Sequence, residues 1–102
     1  MSKIEIKYEL KQGHRNIYSC KWSINKEKTI LVQSIERGVV DSFRPTFFNG
    51  DNIRLVEGLN EEEYYIKSYE ISNTMTEVVF IYILVKGRYV VPEWLVIAVI
   101  ES

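Results

Sequence analysis

Few side chains in this sequence are of the kinds that do chemistry, and their spacing limits what they can do. The only histidine, His14, stands beside Arg15, and the only cysteine, Cys20, follows it. A thiol–imidazole couple needs the base within reach of the sulfur and a third group to orient it. His14 and Cys20 flank one turn and can approach each other, but no third member stands near them. An exposed turn histidine and a small buried cysteine account for the two residues better. Glu61, Glu62 and Glu63 offer oxygens to a hard cation, which wants ligands converging at set offsets. Three consecutive glutamates on an extended chain point to alternate sides, which fits a solvated loop or an acidic rim for a basic partner. Asp41 and Asp51 lie beside turn residues, where aspartate serves the backbone. There is no glycine-rich phosphate loop, nucleophile elbow or zinc-ligand spacing. The expectation is a non-enzyme with no catalytic residue, metal or cofactor.

Aromatic side chains make 13% of the chain. Most must be core, but tyrosine and tryptophan also concentrate at binding hot spots. Lys3, Lys7, Lys11, Arg15 and Lys21, with Tyr18 and Trp22, form a second kind of candidate. A basic strip with interleaved aromatics is how small barrels hold single-stranded nucleic acid. Glu5 and Glu9 share the Lys3–Lys11 face and count against it. So does a formal net charge of −1 over the whole chain. The charge is unevenly spread: residues 1–28 hold seven Lys or Arg against three Glu, and the rest six against eleven acids.

The elements that would position these residues are strands. Lys3 to Lys11 alternates strictly, with Ile4, Ile6, Tyr8 and Leu10 on one face. QGHRN reads as a turn, and Tyr18, Cys20, Trp22 and Ile24 share a face of a second strand, closing a hairpin. NKEK turns into a third strand, TILVQSI, which is less clearly two-faced. From Glu36 to Asp51 the pattern lapses, but Phe43, Phe47 and Phe48 predict a loop that folds back onto the core. NIRLVEG alternates again. In NEEEYYIKSYEIS, Asn60 and Glu63 resemble a helix capping box, whereas Tyr, Ile and Ser favour a strand. A strand from about Tyr64 to Ile71 is expected. NTMT turns, and the unbroken run VVFIYILV predicts a strand buried on both faces. KGR is a tight turn from which YVV pairs back. Pro92 cannot donate to a ladder, so PEWL reads as one 3₁₀ turn before a last strand, VIAVIE.

The chain is expected to be one domain, residues 1–102, with no disulfide and a reducing, cytoplasmic location. No stretch reaches the ~20 apolar residues of a spanning helix, so no membrane association is expected.

The second half also resembles a known family. FNGDNIRLVEG, residues 48–58, resembles the Phe–Gly–Asp stretch where SH3 domains leave their diverging turn. Tyr64-Tyr65, after an acidic run, look like the paired tryptophans of the next SH3 strand. GRYVVPEWLVIAVIE looks like the SH3 ending, a glycine-led strand running through a proline turn into a last strand. The resemblance covers about residues 30–101 and leaves the N-terminal hairpin, 1–28, as an addition. It implies an all-β, small SH3-like antiparallel barrel. By position, the SH3 groove residues fall on Tyr64, Pro92 and Leu95, with leucine standing where the family has a tyrosine.

Together these observations lead to a protein-interaction module. Its expected surface combines Tyr64, Tyr65, Pro92, Trp94 and Leu95 with the rim Glu61, Glu62 and Glu63, suited to a basic or proline-containing segment of another protein. Trp94 either joins this surface or plugs the open end of the barrel. A module this small without catalytic parts also looks like a viral or mobile-element inhibitor of a host protein. Single-stranded nucleic-acid binding through the basic hairpin is the alternative. Edge strands on an apolar barrel further suggest a homodimer.

Overall fold

A computed structural model of the chain describes residues 2–8, 20–38, 42–89 and 95–101. These residues are all-β. The strands are β1 (Ser2–Tyr8), β2 (Lys21–Ile24), β3 (Ile30–Glu36), β4 (Asn52–Glu57), β5 (Asn60–Asn73), β6 (Glu77–Lys86) and β7 (Leu95–Glu101). They close into a barrel in the order β1-β2-β3-β6-β5-β4-β7, with β7 returning to β1.

The N-terminal strands pair antiparallel, as the expected hairpin requires: among the described residues β1 meets β2 at Ser2–Ile24 and Lys3–Ser23, and its longer ladder, Lys3 to Tyr8, runs along β7. Both strands are thereby built into the barrel wall. One feature differs from the sequence expectation: the barrel is not wholly antiparallel, because β4 and β7 run parallel from the Asn52–Leu95 pair to Val56–Val99. A parallel neighbour needs a crossing connection rather than a hairpin, and that requirement shapes the surface described below.

The period-2 pattern decides the inside. Leu31 and Ile35 of β3, Ile53 and Leu55 of β4, Tyr64 and Ile66 of β5, and Ile100 of β7 are buried. On β6, Val78, Phe80, Tyr82 and Leu84 are buried, whereas Val79, Ile81, Ile83 and Val85 are half-buried. VVFIYILV is thus not buried on both faces. Its outer side chains meet cross-strand neighbours from β3, Ile30 opposite Ile83 and Val32 opposite Ile81, and the rest of their surface faces outward.

Gln33 explains why β3 looked indistinct. It points inward and is fully buried. A buried amide must find partners, and the loop after β3 and strand β6 each supply one. Gln33 Nε2 donates to Thr46 Oγ1 at 2.7 Å, and Tyr82 Oη donates to Gln33 Oε1 at 2.7 Å. Tyr82 Oη in turn accepts from the Thr46 amide at 2.9 Å. The loop folds back as expected. Phe47 is fully buried against Trp22 and Tyr82, with ring centroids 5.4 and 5.3 Å away. Phe43 packs on the core edge, and Phe48 alone of the three stays exposed.

β5 begins at Asn60, four residues before the expected start, so the capping-box reading loses to the strand. Its register shifts between Ile66 and Ser68, leaving Lys67 as a bulge. A bulge bends and twists a strand. Here the first half of β5 pairs with β4 and the second half with β6 alone.

Candidate functional site

β6 ends beside β5, but β7 begins beside β4, opposite Asn52. The chain must therefore cross β5 and β4, and Gly87, Arg88 and Tyr89 start that crossing. Gly87 adopts φ +119°, a region that costs other residues strain. Its amide donates to the Glu63 carbonyl at 2.8 Å. Arg88 lays its guanidinium on the Glu63 carboxylate, with Nε at 2.6 Å and Nη2 as a second donor. The Tyr89 amide donates to Oδ1 of the buried Asn52 at 3.1 Å. Three successive residues are thus pinned to the strands beneath, and Tyr89 lies across the sheet rather than pairing back as a strand.

This strap sets an aromatic pair on the surface. The Tyr89 ring, 62% exposed, rests on the half-buried Tyr65 ring at 5.4 Å and 49°. Gly50 lies beneath it. A Cβ added at Gly50 would come within 3.3 Å of Tyr89 Cδ2, and Gly50 itself has φ +89°. The exposed Phe48 precedes this glycine by two residues.

The charges around the pair are largely committed. Glu63 is shared by Arg88 and, at 3.7 Å, Arg54. The Arg88 hydrogen bonds hold its carboxyl below the usual carboxylate range. Glu62 pairs with Lys86 at 3.1 Å and accepts from the Tyr64 hydroxyl at 3.1 Å. These contacts, Lys86 first, lower its pKa as well. Glu61 is exposed. The expected acidic rim is therefore narrower than three free carboxylates, because alternation along β5 delivers Glu62 and Glu63 to cations on neighbouring segments.

Tyr64 is corrected from a surface residue to a core residue. It is only 7% exposed, and burial pushes its phenol pKa up. Its neighbour Tyr65, on the opposite face, takes the surface position. Leu95 opens β7; its side chain, Pro92 and Trp94 lie outside the described residues. Tyr89 was not among the expected site residues. Its signal was a lone tyrosine directly after a Lys-Gly-Arg turn, where a strand continuation looked equally natural.

Of the basic strip, Lys11, Arg15 and Tyr18 lie outside the described residues, as do the side chains of Lys3 and Lys7, and so does His14. Trp22 stacks inward on Tyr82 at 6.3 Å. Lys21 is exposed at a cleft of about 450 Å³ that it shares with Cys20, Ser34, Glu36, Thr76 and Glu77. Ser34 Oγ donates to Glu77, and two carboxylates beside one lysine make that cleft a poor seat for phosphate. Burial raises the Cys20 thiol pKa, away from the reactive thiolate. Among the described residues no cluster of three or more His, Cys, Asp or Glu could hold a metal ion, and no helix is long and apolar enough to cross a membrane.

No family model, no curated protein and no solved structure matches the chain.

Proposed function

We propose that the protein is a non-enzymatic interaction module whose Tyr65–Tyr89 pair receives a proline-containing segment of another protein. One observation carries this reading: the strap holds a largely exposed tyrosine ring against a second ring by three backbone and side-chain anchors. Preorganised aromatics are what extended, proline-rich segments dock against, since such segments lose little entropy on binding. The barrel lends the SH3-like comparison some support through the three-strand meander β4–β5–β6, followed by a crossing segment and a last strand. Glu61 favours a basic residue flanking the prolines. Arg54 and Arg88 narrow the basic requirement to that side. A free Cys20 suits a reducing, cytoplasmic setting.

The test is fluorescence polarisation with a labelled proline-rich peptide flanked by arginines, beside the same peptide with alanine for proline. The proline form should bind the wild-type protein and lose about tenfold or more in affinity, ~1.4 kcal/mol, in Tyr89→Ala. Tyr89→Phe should retain most of the binding. Equal binding of both peptides, or no effect of Tyr89→Ala, would sink the reading. Binding of labelled oligothymidylate that weakens steeply with salt would favour the nucleic-acid alternative instead.

A further inference from the structure

Among the described residues a different part of β5 is paired on one side only. Asn60 to Tyr65 pair with β4, Tyr64 to Ile66 pair with β6 as well, and Ile66 extends the β4 side by bonding to Gly50 and Asp51. After the Lys67 bulge, residues 68–73 pair with β6 alone. The phase of that ladder follows from the turn. The Thr74 amide donates to the Glu77 carbonyl at 2.9 Å, so Thr74–Glu77 is a hydrogen-bonded pair. Antiparallel pairs alternate. Ser68, Glu70 and Ser72 therefore direct their backbone groups to β6, and Tyr69, Ile71 and Asn73 direct theirs outward. No described backbone group outside β6 bonds to this edge.

The side chains there are equally incomplete. Ile71 stands opposite the fully buried Phe80 on the core face of the sheet, yet it is 51% exposed. Tyr69, next along that face, rests on Phe80 and Tyr82 and is half-buried. The edge thus presents outward-facing peptide groups beside a ledge of core-type side chains. Natural edges are usually guarded by bulges and charges. Here the bulge and Lys67 guard the upper end and Arg37, bonded to the Thr74 carbonyl and Asn73 Oδ1, caps the lower, while between them Glu70 is the one charge and lies on the face opposite Ile71.

We propose that the Tyr69–Asn73 edge pairs with the same edge of a second copy of this chain, extending the sheet across a two-fold axis centred on Ile71. The segment complements itself in that register. Ile71 faces the partner's Ile71 in a hydrogen-bonded pair. Tyr69 faces the partner's Asn73, and Glu70 faces the partner's Ser72, so no like charges are opposed. The two isoleucines cover each other on the core face. A two-fold, self-complementary contact is the commonest way a soluble chain associates. The surface is separate from the tyrosine pair, so the two assignments stand or fall independently.

Sedimentation equilibrium of the full chain between about 1 μM and about 1 mM tests this directly. The wild type should show a monomer–dimer equilibrium. Ile71→Pro removes only an outward-facing amide, so it should leave the β5–β6 ladder intact and weaken association about tenfold or more. Ile71→Lys retains that amide and opposes two lysines across the axis. It should dissociate the dimer in low salt with the monomer still folded, which covers the case of a proline variant that does not fold. Amide exchange supplies a second readout. Protection of Ile71 should grow with protein concentration, while Ser72 stays protected throughout. A wild type that is monomeric at every concentration, or an Ile71→Lys variant that dimerises as well as the wild type, overturns the proposal.

Discussion

The Arg88 guanidinium holds the Glu63 carboxylate through two donors, Nε and Nη2, and so fastens the segment after β6 to the first part of β5. The same residue's carbonyl holds Gly87. One glutamate therefore anchors a crossing segment from its side chain and from its backbone, and the Tyr89 ring is set down where that anchoring ends.

Acid should release this strap before it unfolds the barrel. The folded-state pKa values of Glu62 and Glu63 lie below those of ordinary carboxylates. Such groups contribute stability that is present in full above the unfolded-state value and is lost as pH falls through the lowered folded value. Gly87 amide exchange and the Tyr65–Tyr89 ring contact, followed by NMR from neutral pH to below about pH 4.5, should show Gly87 exposed first. A strap that persists until global acid unfolding would contradict this.

Arg88→Lys should loosen the strap nearly as much as Arg88→Ala. A lysine supplies a point charge but not the planar fork that meets a carboxylate with two bonds. Both sites are partly exposed, so moderate salt should reduce the difference between wild type and variants. Hydrogen exchange at Gly87 measures it.

Gly50→Ala should be destabilising although the site is near the surface. Its φ of +89° is costly for any residue with a Cβ, about 1–2 kcal/mol. The added methyl would also press on Tyr89 Cδ2 from 3.3 Å. The predicted outcome is a lower urea midpoint together with a displaced Tyr89 resonance. A lower midpoint with Tyr89 unmoved would mean that strain alone acts.

The buried network offers a graded pair of substitutions. Tyr82→Phe deletes one hydroxyl that donates to Gln33 and accepts from Thr46, and should cost about 1–3 kcal/mol. Phe47→Ala empties the plug of the same loop and should cost about 3–5 kcal/mol. Denaturant titrations give both values. If Tyr82→Phe proves as costly as Phe47→Ala, the polar network contributes as much to holding the loop as the aromatic plug does.

Much of the fold was legible from alternation. Ile4, Ile24, Ile53 and Leu55 announce strands because a half-buried strand must alternate. Three phenylalanines in one loop announced that it returns to the core. Period 2 also says that Tyr64 and Tyr65 face opposite ways, but it cannot say which faces in. That choice follows from which side of β5 the barrel closes on, and it turned the expected surface tyrosine into a core one. The pattern was equally silent on Gln33, an amide that becomes an interior residue only because Thr46 and Tyr82 arrive from elsewhere in the chain.

Residue order by itself determined the all-β class, the strand positions and the returning loop, since these depend on side-chain period and local turn chemistry. Tertiary structure alone decided that β7 lies parallel to β4, that Glu63 receives Arg88 from a distant segment, and that Tyr89 comes to rest on Tyr65. Those outcomes depend on which strands become neighbours when the sheet closes. Closure is a property of the whole barrel, which no local window of sequence encodes.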